Sequence, residues 1–92
     1  MITEGRAVIG NIENKVSKKL PVFYNPVMKF NRDISILLLN AIGKKMRIAD
    51  PLAGSGVRAI RFVQELKTFD KIFVNDASET AVIAIKKNFK IK

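Results

Sequence analysis

Apolar positions recur along the chain with two spacings. In NRDISILLLNAIGKK, Ile34, Leu37, Leu38, Ala41 and Ile42 fall at the intervals that give a helix one apolar face. Asn31 or Asp33 can cap its start, and Gly43 followed by lysines suits its end. Gly56 to Lys67 is helical again, with Ile60, Val63 and Leu66 inward and Arg58 and Arg61 outward. Ser78 opens a third helix, SETAVIAIKKNF, where it can bond toward Ala81 while Val82, Ile85 and Phe89 form the buried stripe. The other apolar runs are short and read as strands: Arg6 to Ile9 between two glycines, Met46 to Ala49 buried between layers, and Lys71 to Val74. Asn11 to Leu20 is polar and reads as a loop. PVFYNPVMKF follows, and its two prolines push the residues before them toward extended backbone, which predicts a shaped, irregular segment.

The order helix, strand, helix, strand, helix predicts parallel βαβ units and an α/β sheet. Residues 1–30 form an N-terminal strand and irregular stretch, and residues 31–92 the first half of a ligand-binding α/β domain. Such sheets carry more strands than this, so an edge is left to cover. The expectation is an N-terminal piece of a larger enzyme, or a chain that pairs with itself along that edge.

Composition narrows the chemistry. The chain has 92 residues and neither cysteine nor histidine. Disulfides, thiolate chemistry and a Ser-His-Asp arrangement within the chain are therefore excluded. No apolar run approaches the ~18 residues that cross a bilayer, and the N-terminus lacks a signal-peptide layout, so a cytoplasmic protein is expected. The net charge of +9 suits either a nucleic-acid partner or a solvated lysine-rich surface.

In one stretch a carboxylate, a proline and a glycine turn add nothing to packing. IADPLAGSGVRAIRF ends an apolar run on Asp50, follows it with a proline, and opens a helix through Gly54 and Gly56. Ligands of doubly wound sheets sit beyond the carboxyl ends of the strands, where both Asp50 and Asp76 are predicted to lie. The glycines let backbone approach a ligand closely, the helix start offers free N–H groups, and Asp76 can accept from two ribose hydroxyls. GSGVRA also satisfies the G-x-G-x-x-A pattern of dinucleotide sites, so NAD fits the outline. Asp50 argues otherwise, because it would repel a pyrophosphate and attract an ammonium or sulfonium, as in S-adenosyl-L-methionine. Arg58 and Arg32 are each either ligand contacts or solvated helix residues.

VFYNPVMKFNRDISILLL, ADPLAGSGVRAIRF and VNDAS together resemble the tRNA (guanine(26)-N2)-dimethyltransferase family over nearly the whole chain. The resemblance implies a Rossmann-like class I methyltransferase fold and methyl transfer from S-adenosylmethionine to the exocyclic amine of a guanine in tRNA. It places cofactor contacts at Arg32, Arg58 and Asp76, with Ala77 beside the adenine, alongside Asp50, Gly54 and Gly56. It also places the catalytic D-P-F-G-type segment beyond Lys92, so no catalytic residue is expected here and these residues alone should be inactive. Phe23 and Tyr24 either stack on a flipped base or anchor the irregular segment. Lys18 and Lys19, with Lys15, can touch tRNA phosphates, whereas Lys86, Lys87, Lys90 and Lys92 read better as a solvent face. No metal ligand set is expected.

Overall fold

A computed structural model describes residues 2–10 and 24–91. An antiparallel hairpin, β1 (Ile2–Glu4) and β2 (Ala7–Ile9), comes first. A single 3-10 turn, Pro26–Met28, leads into α1 (Lys29–Ile42), then β3 (Arg47–Asp50), α2 (Val57–Glu65), β4 (Lys71–Val74) and α3 (Glu79–Ile91). β3 and β4 pair in parallel, with Ile48 opposite Ile72 and Asp50 opposite Val74. The βαβ unit expected from the alternation is therefore present, and β4 has the bounds the sequence predicts. β1 is a strand the apolar pattern did not reveal.

Two apolar clusters hold these parts together. Ala7 and Ile9 of β2 pack with Val57 and Ile60 of α2, flanked by Tyr24 and Phe89. Ile36 of α1 packs with Phe62 of α2 and with Leu66 just past its end, over Ile48 and Ile72. Among the described residues only this face of the two-stranded sheet is covered, so Phe73 stays 55% exposed, and β3 is not buried between layers as its composition suggests.

Several helical expectations need correction. α1 begins at Lys29, ahead of both proposed caps; Asn25 caps the preceding turn instead, its Oδ1 accepting from Val27 N–H at 3.0 Å. Asn31 and Asp33 have other partners, described below. α1 also turns the opposite face inward: Arg32 and Ile36 are buried, whereas Leu37 is 69% exposed and Ile34, Leu38 and Ile42 are exposed with it. On α2, Val63 is exposed and Arg61 is buried. The stripe of α3 is centred on Ala81, Ala84, Ile85 and Asn88, with Val82 and Phe89 half-buried at its margin. The helix punctuation holds: Gly43 N–H donates to Leu39 O, and Ala81 N–H donates to Ser78 Oγ at 3.3 Å.

Ile60 and Leu66 are buried as predicted, and the reversal of α1 and the inward turn of Arg61 have one cause. Arg32 and Arg61 meet Glu4 of β1, which is itself only 2% exposed. Arg32 grips Glu4 through Nε and Nη2 at 2.7 and 2.6 Å, Arg61 Nη1 reaches it at 3.2 Å, and Tyr24 Oη donates to it at 2.9 Å. Arg61 also bonds Asp33 and Glu65. Burial pushes the Glu4 carboxyl up, yet the hydrogen bonds from Arg32, Tyr24 and Arg61 together hold it below its ordinary value. Charges buried in pairs can occupy an inward face that apolar periodicity would assign to leucine.

Candidate functional site

β3 and β4 end side by side, and backbone bonds carry their ladder past the last strand residue. Asn75 N–H donates to Asp50 O and Ala53 N–H donates to Asn75 O, both at 3.0 Å. Pro51 has no N–H for such a ladder, so the chain turns away there. Gly54 and Gly56 make the turn at φ of 57° and 83°, a region costly for residues with a Cβ. Gly56 N–H closes the turn on Ala53 O at 2.9 Å, and α2 starts at once.

A cleft of about 340 Å³ opens at this point. Asp50, Gly54, Arg58 and Asp76 line it from the strand ends, the glycine turn and α2, and Tyr24 and Arg32 line it from α1 and the segment ahead of it. Six of the residues singled out in the sequence are thus brought to one place. Gly56 is not on the wall: a Cβ there would lie 3.3 Å from Ile85 Cγ1, so its bareness serves the packing of α2 on α3. Ala77 is exposed and lies off the lining. Phe23, Lys18 and Lys19 lie outside the described residues.

The acids of the cleft differ in state. Asp76 is pinned, Oδ1 accepting from Ser78 N–H at 3.0 Å and Oδ2 from Gly54 N–H at 2.9 Å, and these bonds hold its carboxyl below the ordinary range. Asp50 is the reverse. Its Oδ2 is buried with no hydrogen-bond partner among the described residues, and burial, aided by the Asp76 charge, pushes the carboxyl up although Arg58 opposes this. A buried acceptor without a donor is costly, and native structures keep few of them.

Arg58 is held from α1, and Arg32, itself on α1, from β1 and the segment ahead of the helix. Arg58 donates to Ser35 Oγ at 2.8 Å and to Asn31 Oδ1 at 2.7 Å. Arg32 adds a bond to Asn25 O at 2.9 Å, and the Tyr24 ring lies 5.2 Å from its guanidinium carbon. Neither is a freely solvated helix residue. The cleft therefore offers one unpaired carboxylate, one fixed carboxylate and two oriented cations, a set that matches a zwitterionic ligand bearing a ribose better than linked phosphates.

A family model described as N2,N2-dimethylguanosine tRNA methyltransferase matches residues 4–92. The chain belongs to that family. It is 41% identical over 97 residues to the tRNA (guanine(26)-N(2)/guanine(27)-N(2))-dimethyltransferase of Aquifex aeolicus, covering 99% of this chain and 25% of that protein. It is 50% identical over 72 residues to the tRNA (guanine(26)-N(2))-dimethyltransferase of Pyrobaculum aerophilum, covering 77% of this chain and 20% of that protein. A structure of Trm1 from Pyrococcus horikoshii in complex with S-adenosyl-L-methionine superposes with a TM-score of 0.84 at 39% identity, over 98% of this chain and 23% of that one. The chain spans a quarter or less of these relatives.

Membership of the N2,N2-dimethylguanosine tRNA methyltransferase family, with the superposition, bears out the Rossmann-like fold that the sequence predicts, and it favours the methyltransferase reading over the dinucleotide one. Among the described residues, no group of three or more acidic, cysteine or histidine side chains could hold a metal, and no helix is long and apolar enough to cross a membrane. Sequence reasoning missed Glu4, Asn25, Asn31 and Ser35, which hold the two arginines. Glu4 left a trace: with Ile2 it occupies one side of a strand whose neighbours are apolar.

Proposed function

We propose that the cleft binds S-adenosyl-L-methionine and that the protein methylates the exocyclic N2 amine of guanine 26 in tRNA, in the cytoplasm where that substrate would be met. The observation that carries this reading is the unpaired, buried Asp50 Oδ2 in a cleft shared with Asp76, Arg32 and Arg58. The relatives' names and the Trm1 complex with S-adenosyl-L-methionine support it.

The bound cofactor would supply an electrophilic methyl group on a cationic sulfur. Asp50 would accept from the ligand's ammonium, and a charge-assisted hydrogen bond there would remove the cost of the orphaned oxygen. Arg32 and Arg58 would face its carboxylate. Asp76 keeps spare lone pairs on both oxygens and would receive the ribose hydroxyls, while Gly54 lets the ligand lie close to the backbone. Ala77 and Gly56 would act beside the site, Ala77 toward the adenine and Gly56 through the start of α2. The guanine amine is a weak nucleophile because its lone pair is shared with the ring, so orientation and proton removal would be needed, the latter by groups elsewhere in the intact protein.

Tyr24 reads as an anchor, since its hydroxyl is committed to Glu4 and its ring to Arg32. Phe23, Lys18 and Lys19 remain proposed contacts to tRNA. Calorimetric titration of the intact protein with S-adenosylmethionine and with NAD tests the cofactor assignment. Binding of the first and not the second is expected; equal binding of NAD would overturn it.

A further inference from the structure

Arg32 is an arginine that faces two ways. It lines the cleft with Asp50 and Asp76, yet it is 5% exposed and its Nε and Nη2 are spent on Glu4 and on Asn25 O. None of the hydrogen bonds among the described residues uses Nη1. A planar guanidinium held at one edge by a carboxylate has its other edge fixed in space, which a lone arginine on a flexible stem would not. Glu4 is held in turn: Tyr24 Oη donates to the oxygen that Arg32 Nη2 grips, and Arg61 donates to the other. The hairpin carrying Glu4 cannot drift, because Ala7 and Ile9 are fully buried against α2.

We propose that Glu4, steadied by Tyr24, is a positioning residue of the cofactor site, fixing the Arg32 guanidinium so that its uncommitted Nη1 donates to the carboxylate of the ligand's amino-acid end. This rests on the S-adenosylmethionine reading above. It assigns to the N-terminal hairpin, remote from the glycine turn in sequence, a part in choosing the ligand. Purely structural support would move stability alone. A positioning role moves the discrimination between ligands with and without that carboxylate.

The test is calorimetric titration of the intact protein with S-adenosylmethionine and with its decarboxylated analogue, which keeps the sulfonium, amine and ribose. The wild type should favour the carboxylate by about tenfold to a hundredfold, the range of a charge-assisted hydrogen bond. Glu4→Gln should erase most of that preference, and Tyr24→Phe should lower it by roughly twofold to threefold, a fraction of one charge-assisted hydrogen bond because Arg61 still holds Glu4. In an Arg32→Ala background, Glu4→Gln should change the preference no further. Equal weakening of both ligands by Glu4→Gln, or a further change in the Arg32→Ala background, overturns the proposal. Should Glu4→Gln not fold, an unchanged preference in Tyr24→Phe overturns it. A wild type that binds neither ligand overturns the cofactor reading itself. A wild type that binds both equally well overturns the positioning role alone.

Discussion

Asp50 sets function against stability at a single side chain. Asp50→Asn removes a half-buried charge whose Oδ2 has no hydrogen-bond partner among the described residues, so the intact protein should melt at the same temperature or slightly higher, while S-adenosylmethionine affinity falls by about tenfold or more. Calorimetry and a thermal scan on one sample check both halves. The elevated carboxyl of Asp50 adds a pH signature. A bound cation favours its ionised form, so binding lowers its pKa and expels a proton in mildly acidic buffer. Affinity should therefore fall on acidification from a higher pH than an ordinary aspartate would give, and titrations in buffers of different ionisation enthalpy should register the released proton. Asp76→Ala should also weaken binding, and unchanged affinity would remove Asp76 from the ribose role.

The elements are joined by ions as much as by apolar packing. Glu4 and Glu65 both have carboxyls held below their ordinary values: hydrogen bonds outweigh burial at Glu4, and Arg61 does so first at Glu65. A carboxyl depressed in the folded state contributes stability above its unfolded pKa and loses it as pH falls through the folded value. The melting temperature should thus drop below about pH 4.5, and Glu65→Gln should flatten that acid limb. Arg61→Ala breaks the buried cluster and should cost about 3 kcal/mol in denaturant unfolding. This cluster is also where sequence reading stopped. The bounds of β4, the Ser78 cap, the Gly43 stop and the glycine turn were legible because each depends on neighbours in the chain. The inward face of α1 was not, because its apolar side is the better candidate by composition. Arg32 is buried only by virtue of a carboxylate 28 residues away. Local patterns cannot register that kind of compensation.

At the scale of the whole molecule, charge and apolar surface are distributed unevenly. α1 shows Phe30, Leu37 and Leu38 to solvent, and on the uncovered face of the sheet β4 shows Phe73. The 92 residues expressed alone should bind an environment-sensitive hydrophobic dye, and Leu37→Glu should reduce that signal without lowering stability. The lysines divide differently. Lys86, Lys87 and Lys90 are exposed on α3, and replacing them with alanine should leave tRNA affinity and its salt slope unchanged in the intact protein. Replacing Lys15, Lys18 and Lys19 should lower that slope by about one for each phosphate left without its cation. The twofold tether on Asp76 reaches further than the residue itself. Its carboxylate is already aimed before anything arrives, so a visitor meets no side chain that must first be ordered. Adenosine, stripped of sulfur and amino acid alike, should then dock by its sugar alone, giving inhibitor chemistry a small foothold from which to grow.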